Sequence, residues 1–207
     1  LLWLVPMVMA LLFQPIIYNG WRHFYFLMAP MLILAAYGLD RIWAALKRLK
    51  RRVYARVFAA ALAVCMGITG IGMVFNHPNQ YAYYNPLLRG DLTETMELDY
   101  WNVSVLGTLR SLLKTAEGDI TVSGAELWSQ AGLEYAYDAL PEALRERVAV
   151  LPQDDPDAMY YLANTTYARF GLWEPGTMEP AARTISYGRP ICTIYRSDRA
   201  DEDVPHE

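Results

Sequence analysis

The sequence predicts an α-helical transmembrane segment of about three spans followed by a small extracytoplasmic α/β domain. Three observations carry this expectation. Residues 1–76 hold eight basic residues and one acidic residue, Asp40, a net of +7, whereas residues 77–207 hold ten basic and twenty-one acidic, a net of −11. Three apolar stretches, residues 1–17, 24–39 and 57–75, crowd into the front part. Helix-like and strand-like runs alternate only in the rear. The averages over all 207 residues (54% hydrophobic, 19% charged, mean hydropathy +0.09) describe neither part. They do exclude disorder, a collagen-like repeat and a disulfide scaffold. Cys65 lies in an apolar run and Cys192 in the tail, so the two are not expected to pair.

The first stretch starts at Leu1 inside an apolar run, with no charged region and no small-residue cleavage site before position 20. It reads as a truncated span of a longer membrane protein rather than a signal peptide. The second stretch, extended through Leu46, reaches the roughly 20 residues of a span when Asp40 and Arg41 sit at the interface. The competing reading is a buried helix of a soluble core. The third holds nineteen residues without a charge and is the clearest span. Lys47, Arg48, Lys50, Arg51 and Arg52, with Arg56 just beyond, make a basic loop over residues 47–56. By the positive-inside rule that loop faces the cytoplasm. Residues 18–23 and everything after Phe75 then lie outside, with Tyr18, Trp21 and Tyr25 as an outer aromatic belt. The basic residues sit between apolar runs, so nucleic acid is not an expected partner.

Residues 77–98 read as an interfacial polar-aromatic linker, with Pro78 ending the last span. Residues 99–198 read as the α/β domain. Leu98, Trp101, Val105, Leu109 and Leu112 fall at helical spacing, which predicts a helix ending near Ala116. Residues 120–123 predict a strand, 126–139 a helix, and 147–151 and 159–163 two further strands. Residues 182–186 and 190–196 flank Tyr187-Gly188-Arg189, a hairpin signal. Residues 199–207, with His206, read as a frayed tail.

Chemistry-bearing patterns are few. GxSxG, P-loop, HExxH and paired CxxC motifs are absent from the sequence. No catalytic residue, metal ligand or cofactor is therefore assigned. Arg22 and His23 stand where a helix enters the bilayer on the outer face. Free N–H groups, the positive dipole end and a guanidinium would suit a phosphate there. A snorkelling interfacial arginine fits the same residues. Tyr83, Tyr84 and Asn85 belong to a strip that could line a sugar or lipid-head cavity, or pack as belt and loop. Glu94, Glu97 and Asp99 offer a base or a cation site, but more plainly favour the start of the following helix. The sequons at Asn102 and Asn164 carry no weight, because chance matches are common.

Tyr18-Asn19-Gly20-Trp21-Arg22-His23-Phe24-Tyr25-Phe26, then Pro30, resembles the outer entry into a late span of bacterial C-type (GT-C) membrane glycosyltransferases. His77-Pro78-Asn79-Gln80-Tyr81-Ala82-Tyr83-Tyr84-Asn85-Pro86-Leu87, followed by Leu98-Asp99-Tyr100-Trp101-Asn102-Val103-Ser104, resembles the stretch after their last span. The likeness is to the protein O-mannosyltransferase and aminoarabinose transferase group. It implies an integral protein of the bacterial inner membrane that takes a sugar from a polyprenyl-phosphate carrier on the outer face. It further implies Arg22 and His23 as carrier-phosphate ligands and Tyr83, Tyr84 and Asn85 as cavity wall. The family's catalytic carboxylate sits in a first outer loop that this chain lacks. The chain then depends on a missing N-terminal part of the same protein and is inactive alone. The competing class is a membrane-anchored, non-enzymatic α/β binding module.

Overall fold

The computed structural model describes residues 2–15, 21–49, 52–85, 88, 92, 96–164 and 173–198. Two compact units divide the chain, Leu1–Ile68 and Thr69–Glu207. Tyr18, Asn19, Gly20, Lys50, Arg51, Pro86, Leu87, Glu94, the residues after Asn164 in its sequon and the 199–207 tail lie outside the described residues.

The first unit is helical. Helix α1, Leu4–Phe13, ends where Gln14 turns left-handed at φ 42°. A 3-10 helix, Trp21–Leu27, runs directly into α2, Met28–Arg48. Helix α3, Val53–Phe75, begins in this unit. Residues 23–48 and 53–75 are each long and apolar enough to cross a membrane. The first apolar stretch gives only the ten residues of α1, about 15 Å of helix and half a bilayer core. The described residues thus hold two helices of spanning length where the sequence suggested about three. Among the described residues, none of α2 is buried within the chain.

The second unit is a mixed α/β layer. After the end of α3 and a short 3-10 turn, Gln80–Ala82, come α4 (Val105–Thr115), β1 (Ile120–Gly124), α5 (Leu127–Asp138), α6 (Glu142–Arg145), β2 (Val148–Val150) and β3 (Tyr160–Asn164). A hairpin of β4 (Glu179–Ser186) and β5 (Arg189–Arg196) closes the described chain. The sheet order is β2-β1-β3-β5-β4. Strand β1 pairs in parallel with β2 and β3, while β5 pairs antiparallel with β3 and β4. The hairpin turn falls on Tyr187 and Gly188, both at positive φ (48° and 77°), where glycine is at home.

The strands and α5 form within two residues of their expected bounds on most sides, because apolar alternation and the Gly and Pro stops coincide there. The 182–186 strand starts three residues earlier. The largest departure is residues 98–104, which are not helical. Leu98 belongs to a small cluster with Ala82, Leu92 and Ile191 rather than to the buried face of α4. That face is Val105, Thr108, Leu109, Leu112 and Leu113. It packs against β4 and β5, while α5 packs against β1 and β3. Leu109, Val122, Leu133, Leu162 and Ile194 are fully buried in the shared core. Burying each such side chain stabilises by about 1.5–3 kcal/mol before entropy is counted.

The second unit begins inside α3 because the end of that helix is tied to the hairpin. The Asn76 side-chain oxygen accepts the Tyr187 N–H at 2.5 Å, and its amide donates to the Gly72 carbonyl at 2.8 Å. Ser186 Oγ donates to the Asn79 carbonyl at 3.1 Å.

Candidate functional site

Arg22 and His23 stand in the first turn of the continuous helical run that becomes α2. The start of a helix carries the positive end of its dipole. The Arg22 side chain lies outside the described residues. The His23 side chain is exposed and borders a cavity of about 360 Å³. Its other walls include Met9, Ala10 and Phe13 of α1 and Phe24 and Phe26 of the 3-10 helix. Among the described residues, the lining is apolar apart from the imidazole. Chemically this is a slot for a hydrocarbon with one polar group at its rim.

Tyr83, Tyr84 and Asn85 belong to the second unit and differ among themselves. Tyr83 is exposed, its ring edge-on to Tyr187 at 5.3 Å between centroids. Tyr84 is half-buried and its hydroxyl donates to the Glu97 carbonyl at 2.9 Å. Burial, then the charge of Glu97, pushes that phenol above its ordinary value. Asn85 is exposed, and its carbonyl accepts the Leu88 N–H at 2.9 Å. So Tyr83 and Asn85 present surface, while Tyr84 holds the linker to residue 97.

Asp99 is fully buried in the turn ahead of α4. Its carboxylate accepts N–H bonds from Val103 at 2.9 Å and Ser104 at 3.2 Å, and a close hydroxyl bond from Ser104. Burial nonetheless pushes its pKa up to about 6, because loss of water outweighs those donors. Satisfying the N–H groups before a helix is a structural task. It leaves Asp99 no exposed oxygen for an acceptor or a cation.

Sequence reasoning missed the polar centre that surrounds Asp99. Asn102, left-handed at φ 55°, donates to the Trp128 carbonyl at 3.0 Å. The Asn164 amide donates to the Asp99 carbonyl at 2.9 Å and to Asn102 Oδ1 at 2.5 Å. Ser129 Oγ donates to Glu126 Oε1 at 2.6 Å and accepts the Asn164 N–H at 2.9 Å. The second Glu126 oxygen is buried with no hydrogen-bond partner, and burial raises this carboxyl above its usual range. These groups lie at the C-terminal ends of β1 and β3, where the strand order reverses and open α/β sheets bind ligands. Two signals could have found them: polar residues ending apolar strands, and Gly132, where a Cβ would come 2.5 Å from Asn102 Cγ.

The thiol of Cys192 sits beside this centre, and burial pushes it up to about 12. Among the described residues, no three His, Cys, Asp or Glu side chains are grouped as metal ligands would be. Comparison with family models, with curated proteins and with solved structures finds no match for this chain.

Proposed function

We propose that the chain is the C-terminal part of an integral membrane glycosyltransferase that moves a sugar from a polyprenyl-phosphate carrier to an extracytoplasmic acceptor. The observation that carries this reading is the first turn of the 21–48 helix. An apolar slot of about 360 Å³ meets an imidazole and the helix start there, with Arg22 one residue away in the chain. A polyprenyl phosphate has the matching chemistry: a hydrocarbon tail joined to an anion. Arg22 binds the phosphate oxygens in a fork, His23 donates at the rim, and the helix N–H groups add partial positive charge. Stabilising the departing phosphate is their contribution to transfer. The base that deprotonates the acceptor is supplied from outside these residues.

The two helices of spanning length, joined by a basic connection, support a membrane hairpin with its loop in the cytoplasm and the α/β unit outside. The test is made in the protein expressed with everything its gene encodes before Leu1. At unchanged membrane content, Arg22→Ala lowers sugar transfer from the carrier by about tenfold to a hundredfold, for about 1.5–3 kcal/mol of a charged hydrogen bond. His23→Ala has a smaller effect. Unchanged donor kinetics in both variants removes this site and leaves the anchored α/β unit as a binding module.

A further inference from the structure

We infer that the α2–α3 hairpin holds an aminophospholipid, a membrane lipid whose headgroup carries both a phosphate and a primary ammonium, in the groove between its two helices. This rests on the membrane reading above but not on sugar transfer. The groove has a volume of about 410 Å³. Leu39 and Trp43 of α2 and Phe58, Leu62 and Met66 of α3 give it apolar walls, and among the described residues Asp40 is the one charged residue that lines it.

Asp40 is also the single acidic residue of residues 1–76, and it is exposed. A carboxylate on a membrane-facing groove is costly unless a cation meets it. Basic groups frame the same end of the hairpin. The Lys47 ammonium folds back to 5.6 Å from the centroid of Trp43, the ring that lines the groove. Trp43 is three residues from Asp40, about 4.5 Å along the helix axis. Arg41 follows Asp40, its guanidinium 6.0 Å from the Tyr37 ring. Arg48, Arg52 and Arg56 are exposed nearby in the chain.

Hydrocarbon wall, carboxylate and the Lys47 cation therefore follow one another along about two turns of α2, with the Lys47 ammonium folded back toward the Trp43 end of the groove. A purely anionic lipid satisfies the cations but sets its phosphate against Asp40. A choline headgroup has no N–H to donate. An ethanolamine-type headgroup matches all three, with its ammonium on Asp40, its phosphate on Lys47 and the arginines, and an acyl chain along the Phe58–Leu62–Met66 wall.

The test uses the full protein extracted from its membranes and exchanged into nanodiscs of equal phosphatidylethanolamine, phosphatidylcholine and phosphatidylglycerol. Native mass spectrometry counts the lipids that stay bound. Retention of phosphatidylethanolamine is expected to exceed the other two by about fivefold, a difference of about 1 kcal/mol. Asp40→Asn brings that ratio to about one. Lys47→Gln lowers retention of all three alike. Thermal unfolding of the α/β unit serves as the folding control for both variants. Equal or greater retention of phosphatidylglycerol overturns the inference, as does a preference that survives Asp40→Asn. Absence of the protein from the membrane fraction overturns the membrane reading together with it. A protein that transfers sugar normally yet shows no lipid preference overturns this inference alone.

Discussion

Leucine and isoleucine meet two different surroundings in this chain. In α2, Leu32, Ile33 and Leu34 are 61–70% exposed, and the most apolar window of α3 has no buried residue. In the α/β unit, Leu109, Leu133, Leu162 and Ile194 have no exposed surface at all. The residue types are the same, so composition does not separate the two. Geometry does: a sheet with helices packed on it covers its own apolar face, and a helical hairpin cannot. A helix that is apolar on all sides needs a cover from outside, lipid or other protein. The first unit is thus a surface that needs a solvent, and the second is a domain with a core.

Truncating one apolar side chain in each region tests that contrast most strongly. Leu162→Ala opens a cavity in the sheet core and costs the α/β unit about 2–5 kcal/mol. Val64→Ala in α3 removes a similar group from an exposed position and changes that unit's stability by less than about 0.5 kcal/mol. Urea unfolding followed by Trp128 fluorescence in a chain starting at Asn76 gives the first value, and the same assay on the longer chain gives the second. Comparable losses would show that α3 is part of the core.

The polar centre comes next. Asp99→Ala removes the acceptor of two N–H groups and a hydroxyl in a buried turn, at a cost of about 2–3 kcal/mol. The acidity of Asp99 adds a pH signature. Its folded value, about 6, is above its ordinary 3.8, so the native state binds more protons between those values. The stabilising effect of that proton is present below about pH 4 and is lost as pH rises through 6. Relative to Asp99→Asn, the wild-type unit therefore loses about 2–3 kcal/mol between pH 4 and pH 7. Glu126 is shifted in the same direction and leaves a residual slope in the variant. A gap that is flat with pH would place the charge of Asp99 in water.

A smaller effect tests how tightly the 99–104 turn is clamped. Gly132→Ala puts a methyl 2.5 Å from Asn102 Cγ, and one of the two must move. The expected cost is about 1–3 kcal/mol. Asn102→Gly keeps the left-handed backbone, loses the bond to Trp128 and makes room for the methyl. The double variant should then cost less than the sum of the single ones, a coupling of about 1 kcal/mol. Strict additivity would show that the two residues do not touch.

The same turn explains what was legible in the sequence and what was not. Apolar runs gave the helices of the first unit, and Tyr187-Gly188 gave the hairpin, because each signal is local. Leu98 and Trp101 also fell at helical spacing with Val105, but the Asp99 carboxylate takes the Val103 and Ser104 N–H groups, and Asn102, left-handed, is held by Trp128 and Asn164. Those bonds reach Asn164, more than sixty residues away. Spacing along the chain cannot report a partner that distant. Arg22 and His23 were legible as a pair by residue type, but the apolar slot at His23 was not, since its walls come from α1 as well.

The smallest perturbation leaves stability untouched and reads the contrast through its two thiols. Cys65 is exposed on α3, and Cys192 is fully buried on β5 with its thiol pushed up to about 12. The thiolate is the reacting form, so burial slows Cys192 twice, by access and by acidity. A maleimide small enough to enter detergent should label Cys65 in the folded protein and leave Cys192 unmodified. Cys192 should react only as the α/β unit unfolds, with a urea midpoint that Leu162→Ala lowers and Val64→Ala does not. Labelling of Cys192 at the rate of Cys65 in the absence of urea would mean that the sheet core is open. The contrast between an apolar surface and an apolar core would then fail at its most protected strand.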